Sequence, residues 1–242
     1  MNQYGLIGYP LSHSFSKGYF AEKFIRENIA NSNYDTFPIE KIEDFEQLCQ
    51  QNNFKGLNVT IPYKQSIIPF LDELNEDAQK IGAVNTIKFI DNKKIGYNSD
   101  VYGFEYSLLP FLKTHHKQAL ILGTGGASKA VEYVLKKLNI HYKYVSRIAN
   151  NDIISYQDIN EEIINTHHII INTTPLGMYP NIDAAPEIPY QYISDKHLLY
   201  DLVYNPEETL FLKKGKEKNA QTKNGLEMLY LQAERSWQIW NE

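Results

Sequence analysis

Apolar residues along this chain fall into short runs that alternate with amphipathic stretches. Gln3 to Gly8 reads as a strand. A helix follows Ser16, which is placed to cap it, with Phe20, Phe24 and Ile25 on its apolar face. Tyr34 to Ile39 is a second strand, and Ile42, Phe45 and Leu48 mark a second helix. Gly56 to Ile61 is a third strand, ended by Pro62; Lys64 to Leu71 reads as helical, and another helix covers Glu76 to Ile81. Val84–Ile90 and Lys94–Tyr97 form a predicted hairpin across Asp91–Asn92. Strand and helix alternate, so the first part is an α/β unit with mixed pairing at its edge.

Asp100 opens a connector helix, Val101 to Leu112. The pattern then changes to runs apolar on both faces: Ala119–Leu122, Tyr142–Val145, His168–Asn172 with three isoleucines, and Leu198–Val203. Such runs suit a parallel sheet covered by helices on both sides. Predicted helices carry Val131, Val134, Leu135 and Leu138, and later Ile159 to Ile164. This βαβ alternation predicts a doubly wound sheet with right-handed crossovers. The last helix, Leu226 to Trp240, carries Leu226, Leu229, Tyr230, Ala233 and Trp237 on one stripe. That stripe needs a surface to cover it, and the first domain is the candidate.

Composition narrows the choice of partners. A net charge of −5 over 242 residues gives no basic field for nucleic acid or an anionic membrane. No apolar run approaches the roughly 20 residues of a membrane helix, and there is no secretory signal pattern, so the cytoplasm is the expected compartment. Cys49 is the only cysteine, which excludes an internal disulfide and a cysteine-built zinc site. The histidine pairs His115–His116 and His167–His168 lack the spacing of ligands on a helix, and no metal is expected.

The glycine turn between Leu122 and the next helix carries the first chemical signal. Gly123, Thr124, Gly125, Gly126 and Ala127 join an apolar strand to an amphipathic helix, with Ser128 at the third glycine position of a Gly-x-Gly-x-x-Gly pattern. Glycines there permit a tight turn, and the helix N-terminus offers free N–H groups to a pyrophosphate. A ligand-free glycine turn is the alternative. Polar residues following the other strands form a neutral set suited to a small polyhydroxylated substrate: Ser14, Ser16, Thr60, Asn85, Asn172, Thr173, Thr174 and Tyr204. Lys64 and Asp100 are the ionisable members. A lysine in the first turn of a helix opened by Pro62 is disfavoured by the helix dipole and tuned toward proton exchange. A solvated lysine and an aspartate N-cap are the plain alternatives.

Taken together, these blocks resemble the shikimate dehydrogenase family. They are PLSHSFS at 10–16, NVTIPYK at 58–64, GAVNT at 82–86, YNSDVYG at 97–103, GTGGAS at 123–128, NTTPLGM at 172–178, DLVYNP at 201–206 and NGLEML at 224–229, with Gln232 beyond. The resemblance implies an N-terminal α/β substrate domain (1–100, with the helix 226–242 packing back on it). It also implies a connector helix and a Rossmann-like NADP-binding domain over 101–225. The implied activity is the reversible NADPH-dependent reduction of 3-dehydroshikimate to shikimate, in the route to aromatic amino acids, by a monomer or homodimer. Carried over by position, Ser14 and Ser16 hold the substrate carboxylate, and Thr60, Asn85, Asp100, Tyr204 and Gln232 hold its hydroxyls. Lys64 is the acid–base group with Asp100 beside it. Gly123 to Ala127 take the pyrophosphate, and Leu202 and Gly225 lie by the nicotinamide.

The chain departs from the family's pattern in two places. Lys17 replaces a proline after the second serine. Ser146, Arg147 and Ile148 replace Asn-Arg-Thr after the second strand of the dinucleotide half. Arg147 remains available to a 2′-phosphate, and no acidic residue stands there for a ribose hydroxyl, so NADP is expected over NAD. Two other readings stay open at this point: a quinate/shikimate dehydrogenase with dual cofactor use, and a nicotinamide-binding regulatory protein without turnover.

Overall fold

The computed structural model describes residues 1–11, 15–150 and 152–242. The chain divides into two compact units, one of residues 1–99 with 233–242 and one of residues 100–232.

The first unit is built on a mixed sheet. Its elements are β1 (Asn2–Gly8), α1 (Phe15–Arg26), β2 (Ser32–Pro38), α2 (Asp44–Gln51), β3 (Phe54–Val59), β4 (Glu73–Leu74), α3 (Glu76–Ile81), β5 (Thr86–Ile90) and β6 (Lys93–Tyr97). The spatial order is β2-β1-β3-β5-β6-β4. β1 pairs in parallel with both β2 and β3, whereas β5 runs antiparallel to β3 and β6. The β5–β6 hairpin turns at Asp91 and Asn92, with φ of 50° and 61°, the left-handed pair that a two-residue hairpin loop requires. One face of the sheet is closed by Ile7, Phe45, Leu57, Val59, Ile67 and Ile87.

The second unit contains α4 (Asp100–Leu108), β7 (Gln118–Leu122), α5 (Gly126–Lys137), β8 (His141–Ser146), β9 (Ile153–Ser155), α6 (Glu161–Thr166), β10 (Ile169–Asn172), β11 (Leu198–Asp201), α7 (Leu210–Lys216) and β12 (Gln221–Lys223). Its strands run β12-β11-β10-β7-β8-β9, every pair parallel. This is the doubly wound arrangement, with the strand order reversing between β7 and β10. Leu120, Leu122, Ile170 and Leu199 from the central strands pack against Phe211 and Ile164 from the flanking helices.

α8 (Leu226–Asn241) crosses the division between the units. Its C-terminal half belongs to the first unit, where Ala233, Trp237, Ile239 and Trp240 join Tyr4, Phe20, Phe24 and Tyr34 in an aromatic cluster. The Trp240 indole stands 5.0 Å from the Tyr4 ring and donates to the Ile87 carbonyl at 3.0 Å. Gly56 makes room for it, since a Cβ there would lie 2.2 Å from Trp240 Nε1. Buried Lys23 on α1 is bonded to Glu234 on α8 at 2.8 Å and to Glu27 at 2.9 Å.

Several local expectations are corrected. Residues 64–71 form turns and one 3₁₀ turn at Ile68–Phe70, not a helix, so no helix dipole acts on Lys64. Ile25 is 79% exposed, and the buried face of α1 is made by Tyr19, Phe20, Lys23 and Phe24. Ser16 sits inside α1 rather than capping it. Tyr230 is exposed, and the covered face of α8 runs through Met228, Ala233, Ser236, Ile239 and Trp240. The connector helix ends at Leu108 and continues as a 3₁₀ turn, Leu109–Phe111. β4, β9 and β12 are too short to carry a period, and α7 is not among the predicted helices.

Candidate functional site

In the first unit, the candidate residues gather at the carboxyl ends of β1 and β3. The backbone knits the segment after β3 to the segment before β5: Val59 N–H bonds the Asn85 carbonyl at 2.8 Å, and Val84 N–H bonds the Lys64 carbonyl at 2.7 Å. Thr60 is held to β1 by its N–H on the Ile7 carbonyl, 2.9 Å. Thr60, Lys64 and Asn85 therefore lie at the same end of the strands. Ser14, with Ser12 and His13, lies outside the described residues.

Asn85 is nearly sealed and tightly held. Its Oδ1 accepts the Ser99 N–H at 2.6 Å, and its Nδ2 donates to Ser99 Oγ at 3.0 Å. Behind it runs a buried polar network. Asn58 Nδ2 donates to Ser236 Oγ (2.9 Å), and Ser236 Oγ is bonded to Thr86 Oγ1 (2.8 Å) and Ser99 Oγ (3.0 Å). The Tyr34 hydroxyl donates to Asn58 Oδ1 at 2.8 Å and is also bonded to Ser16, while burial holds its pKa far above the usual phenol range. Ser16 and Asn85 are thus two ends of one chain of hydrogen bonds. Buried polar groups satisfied in this way fix side-chain position as well as fold.

In the second unit, the glycine turn stands where the strand order reverses, the place where doubly wound sheets bind ligands. Gly123 has φ of +103°, which favours glycine, and a Cβ there would lie 2.8 Å from Thr174 Cγ2 and 2.9 Å from Thr173 Oγ1. Gly125 precedes the first helical residue, and a Cβ on it would meet nothing within 4 Å. The 12-residue α5 has Gly125 at its N-cap, so no capping side chain takes the N–H groups of its first turn. Ser128 is fully buried and returns its hydroxyl to the Gly125 carbonyl at 2.7 Å, so it closes the turn that a third glycine would otherwise pack. A close backbone approach and a helix N-terminus without a capping side chain fit a pyrophosphate.

The remaining candidates of this unit lie around that turn or along its flanking elements. Ser146 ends β8, and Arg147 beyond it is exposed, with its charge acting on Tyr156. Leu202 N–H bonds the Asn172 carbonyl at 2.9 Å, and Gly225 N–H bonds the Val203 carbonyl at 3.2 Å. A Cβ on Gly225 would fall 2.1 Å from the Leu202 carbonyl oxygen, so only glycine lets these two segments touch. Tyr204 is half-buried, and burial raises its pKa. Gln232 donates to the Leu229 carbonyl on α8 at 3.0 Å. Asp100 is the first residue of α4 and is buried.

The chain is similar to known proteins over nearly its whole length. A family model described as the shikimate dehydrogenase substrate binding domain matches residues 6–87. The shikimate dehydrogenase (NADP(+)) of Clostridium beijerinckii is 41% identical, with all of this chain and 93% of that protein covered. The chain belongs to the shikimate dehydrogenase family. A crystal structure of a shikimate dehydrogenase in complex with NADP+ superposes with a TM-score of 0.88 at 34% identity, covering 99% of this chain and 90% of the other. The Thermus thermophilus shikimate 5-dehydrogenase in complex with NADP(H) and shikimate gives a TM-score of 0.88 at 26% identity, covering 99% and 93%. Relative to the family motifs, the sequence left two polar groups of the second unit without a role: Asp201 at the end of β11 and Thr209 at the start of α7. An aspartate closing an otherwise apolar strand, LLYD at 198–201, is the signal that points to the first of them.

Proposed function

We propose that this chain catalyses the reversible NADPH-dependent reduction of 3-dehydroshikimate to shikimate, a step toward the aromatic amino acids. The observation that carries the reading is a glycine turn at the reversal point of a parallel sheet, in a chain alignable end to end with dehydrogenases of this name. NADPH supplies the hydride when bound.

The chain's own residues supply binding and the proton. Ser14 and Ser16 hold the substrate carboxylate; Thr60, Asn85, Asp100, Tyr204 and Gln232 hold its hydroxyls. Lys64 and Asp100 form the proposed acid–base pair. Lys64 would give a proton from its ammonium to the oxygen of the carbonyl being reduced, and in the reverse direction its neutral amine would take that proton back. Gly123, Thr124, Gly125, Gly126 and Ala127 receive the pyrophosphate on the α5 N-terminus. Ser146 and Arg147 receive the 2′-phosphate, which Arg suits through its paired donors. Leu202 and Gly225 would lie by the nicotinamide.

The test is a spectrophotometric assay of reduced nicotinamide, with shikimate or quinate and NADP+ or NAD+ in all four combinations. Shikimate with NADP+ gives the highest catalytic efficiency. Equal efficiency with NAD+ removes the role given to Arg147, and no turnover with any pair overturns the enzyme reading. Lys64→Ala lowers kcat by roughly 10²–10⁴-fold while the KM for shikimate changes little; surviving turnover removes Lys64 from proton transfer.

A further inference from the structure

The second unit contains a buried acid that the proposed chemistry does not use. Asp201 closes β11 and is fully buried. Three neutral donors converge on its carboxylate: Asn172 Nδ2 to Oδ1 at 2.9 Å, the Val203 N–H to Oδ1 at 3.0 Å, and the Thr209 hydroxyl to Oδ2 at 2.6 Å. Each comes from a different segment. Asn172 ends β10, Val203 lies in the turn after β11, and Thr209 caps α7 by accepting the Leu212 N–H.

The consequences run toward the crevice between β7 and β10. With its Nδ2 tied to Asp201, Asn172 can turn only its Oδ1 outward, and that oxygen accepts the Thr174 N–H at 3.1 Å and the Thr174 hydroxyl at 2.6 Å. Thr174 is the residue whose methyl stands against Gly123. Thr173, beside it, bonds the Leu122 carbonyl through both its N–H (3.0 Å) and its hydroxyl (2.7 Å). Thr173 and Thr174 thus form the wall facing the glycine turn. On the other side, the Val203 carbonyl takes the Gly225 N–H at 3.2 Å, so the Leu202–Gly225 contact hangs from the same carboxylate. Burying a charge is costly, and here burial lifts the Asp201 pKa to about 6. A neutral side chain would leave more of these donors unpaired, so the donor set explains why an acid occupies the position.

We infer that Asp201 is a positioning residue for the dinucleotide crevice, setting both the Thr173–Thr174 wall and the Leu202–Gly225 floor through Asn172 and Val203. The inference rests on the reading of this unit as the NADP site. It predicts an effect on cofactor affinity that leaves substrate affinity alone, because no donor in the set comes from the first unit.

Calorimetric titration of NADP+ without substrate, combined with steady-state kinetics and thermal melting, tests it. Asp201→Ala removes the acceptor of all three donors, and its Kd for NADP+ weakens by about tenfold while the KM for shikimate stays within about twofold. Thr209→Val keeps the carboxylate and removes one donor, and weakens NADP+ by about threefold; Thr209→Ser restores wild-type affinity. Wild-type affinity in Asp201→Ala overturns the inference, as does a parallel loss of NADP+ and shikimate affinity, which marks a role in folding alone. If Asp201→Ala does not fold, unchanged NADP+ binding in Thr209→Val overturns it. Failure of the wild type itself to bind NADP+ would instead remove the reading of the site beneath it.

Discussion

Replacing Asn58 by alanine removes the hub of the buried network behind Asn85. Asn58 is 6% exposed and makes four bonds: from the Tyr34 hydroxyl, and to Ser236, Thr86 and the Asn85 carbonyl, between 2.8 and 3.3 Å. Each partner keeps another bond, Tyr34 with Ser16, Ser236 with Thr86 and Ser99, and the Asn85 carbonyl with the Val59 N–H. No group is therefore fully orphaned, and the loss is that of several net hydrogen bonds near 1 kcal/mol each plus a small cavity, about 3 kcal/mol in all. Ser236→Ala deletes a single hydroxyl whose partners all remain paired, and costs about 1 kcal/mol. Both tryptophans, Trp237 and Trp240, lie in the first unit, so urea unfolding followed by tryptophan fluorescence reports on that unit. The two variants should share the wild-type slope and differ in midpoint, Asn58→Ala lowest. Because Asn85 Oδ1 still accepts the Ser99 N–H at 2.6 Å, Ser236→Ala also leaves the shikimate KM within about threefold of wild type. A Ser236→Ala variant as unstable as Asn58→Ala, or an Asn58→Ala variant within about 1 kcal/mol of wild type, would refute the network as a cooperative support.

Gly123→Ala forces a Cβ onto a φ of +103° and against Thr173 and Thr174, and should cost about 2–3 kcal/mol together with NADP+ affinity. Gly125→Ala meets nothing within 4 Å and should melt like wild type; equal melting of the two variants would remove the argument. Acidification should destabilise the second unit. Burial lowers the pKa of His116 and His197, and each ring accepts a backbone N–H on Nδ1, from Lys113 and Ser194 respectively, so protonation there breaks a bond. Their contribution is complete above the unfolded pKa near 6.5 and is lost as pH falls through the lowered folded values. Asp201, raised to about 6, works in the opposite sense, with stability lost as pH rises from its unfolded value toward 6. Melting temperatures measured across that range should fall less steeply in a His116→Gln/His197→Gln variant than in wild type, and an identical slope would exclude the histidines as the cause.

The glycine turn, the isoleucine strand and the Asp91–Asn92 hairpin were legible because each is a local rule: backbone freedom, two-sided burial and left-handed turn geometry act over a few residues. The order of the motif blocks carried the family, and the parallel pattern carried the sheet. What the linear pattern could not supply was anything decided by distant partners. Residues 64–71 had helical spacing, yet Lys64 is bound by its carbonyl to Val84, and that contact between segments outweighs a weak local propensity. The stripe of α8 was rotated by its real neighbours, since Trp240 fills the space left by Gly56 and Ser236 joins a polar network, while Tyr230 faces solvent. Asp201 opened a family block without an assigned role, because its meaning lies in three donors from three segments. The sequence alone determined which residue types stand near which strand end; tertiary structure decided which of them hold one another in place, because hydrogen bonds between segments far apart in the chain leave no periodicity to read.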